Sequence, residues 1–134
     1  MKTALIVDDA TTVRMFVRDI LEKAGFAVTE AMNGLEALER ALAAASPPDL
    51  FVVDVNMPRM DGYALLRAIR AEPALRAIPA VIMTTESQTL DAARAYEAGA
   101  NLYIVKPGRP DTLTAVARML VGCPHEAAAN RSTS

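Results

Sequence analysis

The sequence is poor in the residues that most often carry chemistry. It has one cysteine, Cys123, one histidine, His125, and no tryptophan. A single thiol excludes an internal disulfide and any metal site built from several cysteines. His125 stands in a polar C-terminal stretch and reads as a surface residue, and Cys123 reads as a partly exposed thiol. Charge of one sign is also missing. Lys and Arg number 14 against 16 Asp and Glu, a net charge of −2 that offers no basic face for DNA. No apolar run approaches the ~20 residues that cross a bilayer. The opening residues meet Asp8 and Asp9 before the apolar segment of a signal peptide is complete. Three Phe, three Tyr and seven Met leave an aliphatic core.

What is present is an ordinary globular composition, 52% hydrophobic and 22% charged, which rules out a disordered chain. A length of 134 residues fits one hydrophobic core. The expectation is a monomeric, cytoplasmic protein with one folded domain over residues 1–122, a flexible tail over 123–134, and neither an output domain nor membrane insertion.

Short apolar runs alternate with stretches of helical period. Ala4 to Val7, Ala27 to Ala31, Leu50 to Val53, Ala80 to Met83 and Leu102 to Val105 read as strands. Between them, Val13, Phe16, Val17, Ile20, Leu21 and Ala24 form the stripe of an amphipathic helix that Gly25 closes. Asn33-Gly34 opens a second helix carrying Leu35, Leu38 and Leu42, stopped by Ser46-Pro47-Pro48. A third runs from Tyr63 to Ala71 on Leu65, Leu66 and Ile69, and a fourth from Leu90 to Ala98. The last spans Asp111 to Leu120, with Leu113, Val116, Ala117 and Leu120 inward. Five alternations predict an α/β fold, a doubly wound five-stranded parallel sheet with helices on both faces. The polar second strand belongs at an edge, which fits the order 2-1-3-4-5.

Ligands of such sheets bind beyond the carboxyl ends of the strands, where the order reverses. Strand one ends in Asp8-Asp9, strand three in Asp54, strand four in Thr84 and strand five in Lys106. Three converging carboxylates need a cation, and hard oxygen donors without His or Cys point to Mg²⁺. Lys106 and Thr84 suit the oxygens of a phosphoryl group. A carboxylate can attack phosphorus to form an acyl phosphate, and Asp54, at the middle of the sheet, is the natural nucleophile. Each residue alone has a plainer reading: Asp8 or Asp9 as a helix cap, Asp54 as a loop acid, Thr84 as a strand end, Lys106 as a turn lysine. Their joint occurrence at successive strand ends favours the site.

The segment Asp54-Val55-Asn56-Met57-Pro58-Arg59-Met60-Asp61-Gly62 resembles the receiver domain of two-component response regulators. Val7-Asp8-Asp9, Met83-Thr84-Thr85-Glu86 and Val105-Lys106-Pro107 match that family's other signatures in order and spacing, from about Lys2 to Val121. Within the family the chain is similar to the stand-alone, CheY-like chemotaxis regulators. The resemblance implies that Asp54 takes a phosphoryl group from a phosphohistidine on a CheA-like histidine kinase. It implies Mg²⁺ on Asp9, Asp54 and the backbone carbonyl of Asn56, with Asp8 acting mostly through water. Thr84 and Lys106 would contact the phosphoryl oxygens, and Lys106-Pro107 would be a cis peptide. Thr84 and Tyr103 would form the switch that reshapes the surface of helix four, strand five and helix five. Asn56 and Glu86 would tune loss of the phosphoryl group. Tyr103 without the resemblance is a half-buried sheet aromatic.

Gly108 and Ala10 depart from that pattern where a Phe and a bulkier residue are frequent, at positions that border the site and the output face in the family. Met57 and Met60 read as loop packing, and Arg67, Arg70 and Arg76 as a solvated helix face. The expected target is a flagellar switch protein or a phosphatase. A phosphate sink or shuttle in a relay is the alternative. An aspartyl-nucleophile phosphatase of the haloacid dehalogenase type needs a second Asp two residues after the nucleophile, where Asn56 stands. A phosphorylation-independent scaffold would have lost acids or the lysine, and none is lost.

Overall fold

The computed structural model describes residues 2–55, 60–84, 89–105 and 110–121. Its strands are β1 (Thr3–Val7), β2 (Ala27–Ala31), β3 (Leu50–Asp54), β4 (Ala80–Thr84) and β5 (Leu102–Val105). Its helices are α1 (Thr11–Lys23), α2 (Gly34–Ala43), α3 (Gly62–Ala71), α4 (Thr89–Ala98) and α5 (Pro110–Val121). All neighbouring strands are parallel, in the order β2-β1-β3-β4-β5. The doubly wound sheet inferred from the alternation is therefore the fold, with the polar β2 at an edge.

Side-chain alternation splits the core into two layers. Leu5, Phe51, Val53 and Ile82 meet Ala37 and Ala41 of α2, Leu65, Leu66 and Ile69 of α3, and Ala95 and Ala98 of α4. On the other face Ala4, Ile6, Val52, Val81 and Ile104 meet Val17, Ile20 and Leu21 of α1 and Leu113 and Ala117 of α5. β1, β3 and β4 are nearly sealed, as the unbroken apolar character of Leu50 to Val53 requires. Gly25 follows α1 at φ +99°, a backbone state that a Cβ disfavours, so this glycine turns the chain into β2.

Two helical stripes differ from expectation. Leu35 and Leu42 stand exposed, and Ala37 and Ala41 line the α2 interface instead. Small residues let α2 lie close to the sheet, which rotates the leucines outward and keeps only Leu38 against the core. Phe16 is likewise half exposed, because α1 seats Val17, Ile20 and Leu21. Arg70 is not solvated: it is half-buried, and its guanidinium donates to the carbonyls of Gly99 (2.7 and 2.9 Å), Ile78 (2.6 Å) and Arg76 (3.0 Å) and to Asn101 Oδ1 (3.0 Å). Among the described residues no helix is long and apolar enough to cross a membrane. The tail after Gly122 lies outside the described residues.

Candidate functional site

The site begins where β1 and β3 run out side by side. Val7 pairs with Val53, so Asp8 and Asp54 come next on adjacent strands. Both share the parity of Ile6 and Val52, and the sheet carries them to one end of the α1–α5 face. Asp8 keeps the ladder going for one more step, its N–H donating to the Ala31 carbonyl at 3.1 Å. Its Oδ1 accepts from the N–H of Ala10 at 2.9 Å, which folds the chain back over the strand end.

The plainer reading of this acidic pair as a helix cap does not hold. The N-cap of α1 is Ala10, with no side-chain capping bond. Asp54 is held from the other side by the chain that returns to α3. The Gly62 N–H donates to the Val55 carbonyl at 3.1 Å, and a Cβ on Gly62 would stand 2.5 Å from the Asp54 carbonyl oxygen. Only glycine permits that approach. Asp61 then caps α3 by accepting from the Ala64 N–H at 2.8 Å.

The outcome is a cluster of three carboxylates. One oxygen each of Asp8, Asp9 and Asp54 lies within 4.8 Å of the other two. Asp8 and Asp54 are buried and Asp9 is exposed, so the cluster opens to solvent on the Asp9 side. Two unit charges 4.8 Å apart repel by about 3.5 kcal/mol at an effective dielectric constant near 20. Such a cluster calls for a cation, and an all-oxygen donor set of this size fits Mg²⁺ better than a soft metal.

Thr84 ends β4 fully buried. It has the parity of Ala80 and Ile82, and Ile82 pairs with Tyr103. Thr84 and Tyr103 thus occupy diagonal positions on one face of adjacent strands, with Tyr103 half-buried against the α3–α4 layer. Of the residues expected in the site, the structure brings together Asp8, Asp9 and Asp54 and sets Thr84 at the neighbouring strand end. Asn56, Glu86, Lys106 and the Lys106–Pro107 peptide lie outside the described residues, as do Met57, Gly108, Cys123 and His125. Met60 packs against the core, as expected of a loop methionine.

Three residues escaped the sequence reading. Gly62 is the backbone contact to Asp54, and its signal is its place at the end of the motif. Arg14 and Glu30 form the other omission. The Arg14 side chain is only 10% exposed and donates from Nε to Glu30 Oε1 at 2.9 Å. Burial alone would raise the Glu30 carboxyl, but hydrogen bonds from Arg18 and Arg14 outweigh it and hold the group below its ordinary range.

A doubly wound parallel sheet with an acidic, metal-suited cluster at its switch point defines the class of molecule. Residues 4–118 match the response regulator receiver domain, and the chain belongs to that family. It is 36% identical over 119 residues to the chemotaxis protein CheY1 of Helicobacter pylori strain J99, spanning 88% of this chain and 95% of that protein. Among solved structures it is similar to CheY4 of Vibrio cholerae, with a TM-score of 0.83, 33% identity, and coverage of 90% of this chain and 98% of the other. It is also similar to the receiver domain of a sensor histidine kinase from Pseudomonas aeruginosa, whose active-site cleft coordinates a magnesium ion. There the TM-score is 0.82 and the identity 26%, over 91% of this chain and 98% of that one. The chain is a CheY-like receiver domain of two-component signalling.

Proposed function

We propose that Asp54 is the phosphoacceptor of a response regulator and that Mg²⁺ on Asp8, Asp9, Asp54 and the Asn56 carbonyl supports the transfer. The observation that carries this reading is the gathering of three carboxylates within 4.8 Å at the carboxyl edge, beside a buried threonine on the next strand. A carboxylate oxygen of Asp54 attacks phosphorus while the phosphorus–nitrogen bond of a kinase phosphohistidine breaks. Its electron pair returns to the imidazole nitrogen, and an acyl phosphate remains on Asp54. Mg²⁺ held by these residues would neutralise the carboxylates and supply positive charge to a phosphoryl oxygen. Asp54 stays fixed because Gly62 packs against its carbonyl, and Asp8 because its backbone continues the β1 ladder. Thr84 and Lys106 bind the phosphoryl oxygens, and Asn56 and Glu86 set how long the group stays.

The Thr84 hydroxyl, drawn toward the phosphoryl group, leaves room for Tyr103 to turn inward. That small shift biases a two-state surface of α4, β5 and α5. The diagonal placement of Thr84 and Tyr103 on one sheet face supports this coupling. The kinase partner on this reading is CheA-like and the target a flagellar switch protein, in keeping with the chemotaxis proteins among its relatives.

Incubation with acetyl phosphate and Mg²⁺ should add one phosphoryl mass to the intact chain, and Asp54→Asn should add none. Equal uptake by the two chains removes Asp54 as the nucleophile. Pull-down with the N-terminal peptide of a switch protein, with and without beryllofluoride, tests the target. Equal capture in both states removes the motor reading and leaves the phosphate sink.

A further inference from the structure

The peptide bond that joins the two acids after β1 is gripped by a buried cation. Arg14 Nη1 donates to the Asp8 carbonyl at 2.5 Å, and that oxygen belongs to the Asp8–Asp9 peptide. The same guanidinium donates from Nη2 to Thr11 Oγ1 at 3.3 Å and from Nε to Glu30 at 2.9 Å. Asp8 is therefore fixed through three groups: its N–H by β2, its carbonyl by Arg14, and its Oδ1 by the Ala10 N–H. Asp9 is exposed and follows Asp8 directly through the peptide whose carbonyl Arg14 holds.

We propose that Arg14, oriented by Glu30, is a positioning residue that aims Asp9 and thereby sets the affinity of the acidic cluster for Mg²⁺. The inference rests on the metal reading given above. Groups behind metal ligands commonly change affinity by about 10–100-fold when removed. Glu30 has a second task. An unneutralised cation this close to the cluster competes with the metal, and Glu30 offsets it while Arg18 Nη1, at 2.5 Å, anchors the other carboxylate oxygen. Arg14 itself is suited to the role because a planar guanidinium reaches Glu30, Thr11 and the Asp8 carbonyl at once, whereas an ammonium is a point charge.

The test is Mg²⁺ titration by calorimetry of the full chain and of Arg14→Lys and Glu30→Gln, with the thermal midpoint of each recorded without metal. Both variants should bind Mg²⁺ about tenfold more weakly, and saturating Mg²⁺ should restore phosphoryl uptake from acetyl phosphate to near the unmutated rate. A lowered midpoint with Mg²⁺ affinity within about twofold of the unmutated chain makes the pair a structural tie alone and overturns the proposal. Arg14→Lys keeps the charge and the side-chain stem, so it tests the geometry even if Glu30→Gln folds poorly. An unmutated chain that binds no Mg²⁺ overturns the metal reading and this proposal with it. Binding by the unmutated chain that neither variant weakens overturns this proposal alone.

Discussion

The two edges of the sheet use the same kinds of side chain to opposite ends. At the amino edge, Asp49 accepts from the Thr3 N–H at 2.8 Å and from its hydroxyl at 3.3 Å, lacing β3 to β1. Asn101 Oδ1 accepts from the Ala80 N–H at 2.8 Å, and Arg70 ties the carbonyls ahead of β4 and β5 to the end of α3. Each polar group there answers an opposite group of the chain itself. At the carboxyl edge three carboxylates are brought within 4.8 Å of one another. Groups of one sign gathered by a rigid scaffold oppose folding, and their place in the fold is explained by what they hold rather than by what they stabilise.

The sharpest break in that comparison is Asp54→Asn. It should abolish phosphoryl uptake while raising stability in metal-free buffer by about 1 kcal/mol or more, through relief of like-charge repulsion. Urea unfolding in the presence of a chelator measures the second effect. A clear loss of stability would mean that Asp54 serves the fold as the amino-edge residues do. Arg70→Ala is the mirror experiment. It strips several carbonyls of a charged donor and should cost about 2–3 kcal/mol, with phosphoryl uptake retained in the folded chain. A cost below about 0.5 kcal/mol would show those hydrogen bonds to be readily replaced by water. Asp49→Ala should cost less, about 1 kcal/mol, because the Thr3 N–H and hydroxyl lose their acceptor. Chemical denaturation midpoints at constant slope separate these two amino-edge variants.

The contrast also explains what could be read from the amino-acid order. The strands and the acids at their ends are local features: each apolar run carries its own terminal residue, and the parallel sheet gathers those ends without further instruction. Asp8, Asp9, Asp54 and Thr84 were legible for that reason. Arg14 was not, because an arginine between Val13 and Met15 reads as part of a solvent face. Its burial depends on Glu30, 16 residues away on another element. Arg70 was misread in the same way, since its acceptors Gly99 and Asn101 lie about thirty residues downstream. The exposure of Leu35 and Leu42 has a different origin. Hydrophobic period alone gives a leucine face, but the close approach allowed by Ala37 and Ala41 decides how α2 rolls on the sheet.

Glu30 sharpens the comparison most finely, because it sits near the carboxyl edge yet is committed like an amino-edge residue. Burial pushes its carboxyl up, and the hydrogen bonds from Arg18 and Arg14 more than reverse that, so its folded pKa lies below the ordinary 4.5. In the window between the folded value and 4.5 the unfolded chain therefore binds more protons, and stability rises with pH. The contribution is complete above the ordinary carboxylate range and is lost as the pH falls through the folded value. The stability difference between the unmutated chain and Glu30→Gln should thus be constant above about pH 5 and shrink steadily in more acid solution. Urea unfolding of both chains at a series of pH values measures it. A difference that is independent of pH, or that grows in acid, means that the Arg14 and Arg18 contacts do not favour the charged carboxylate.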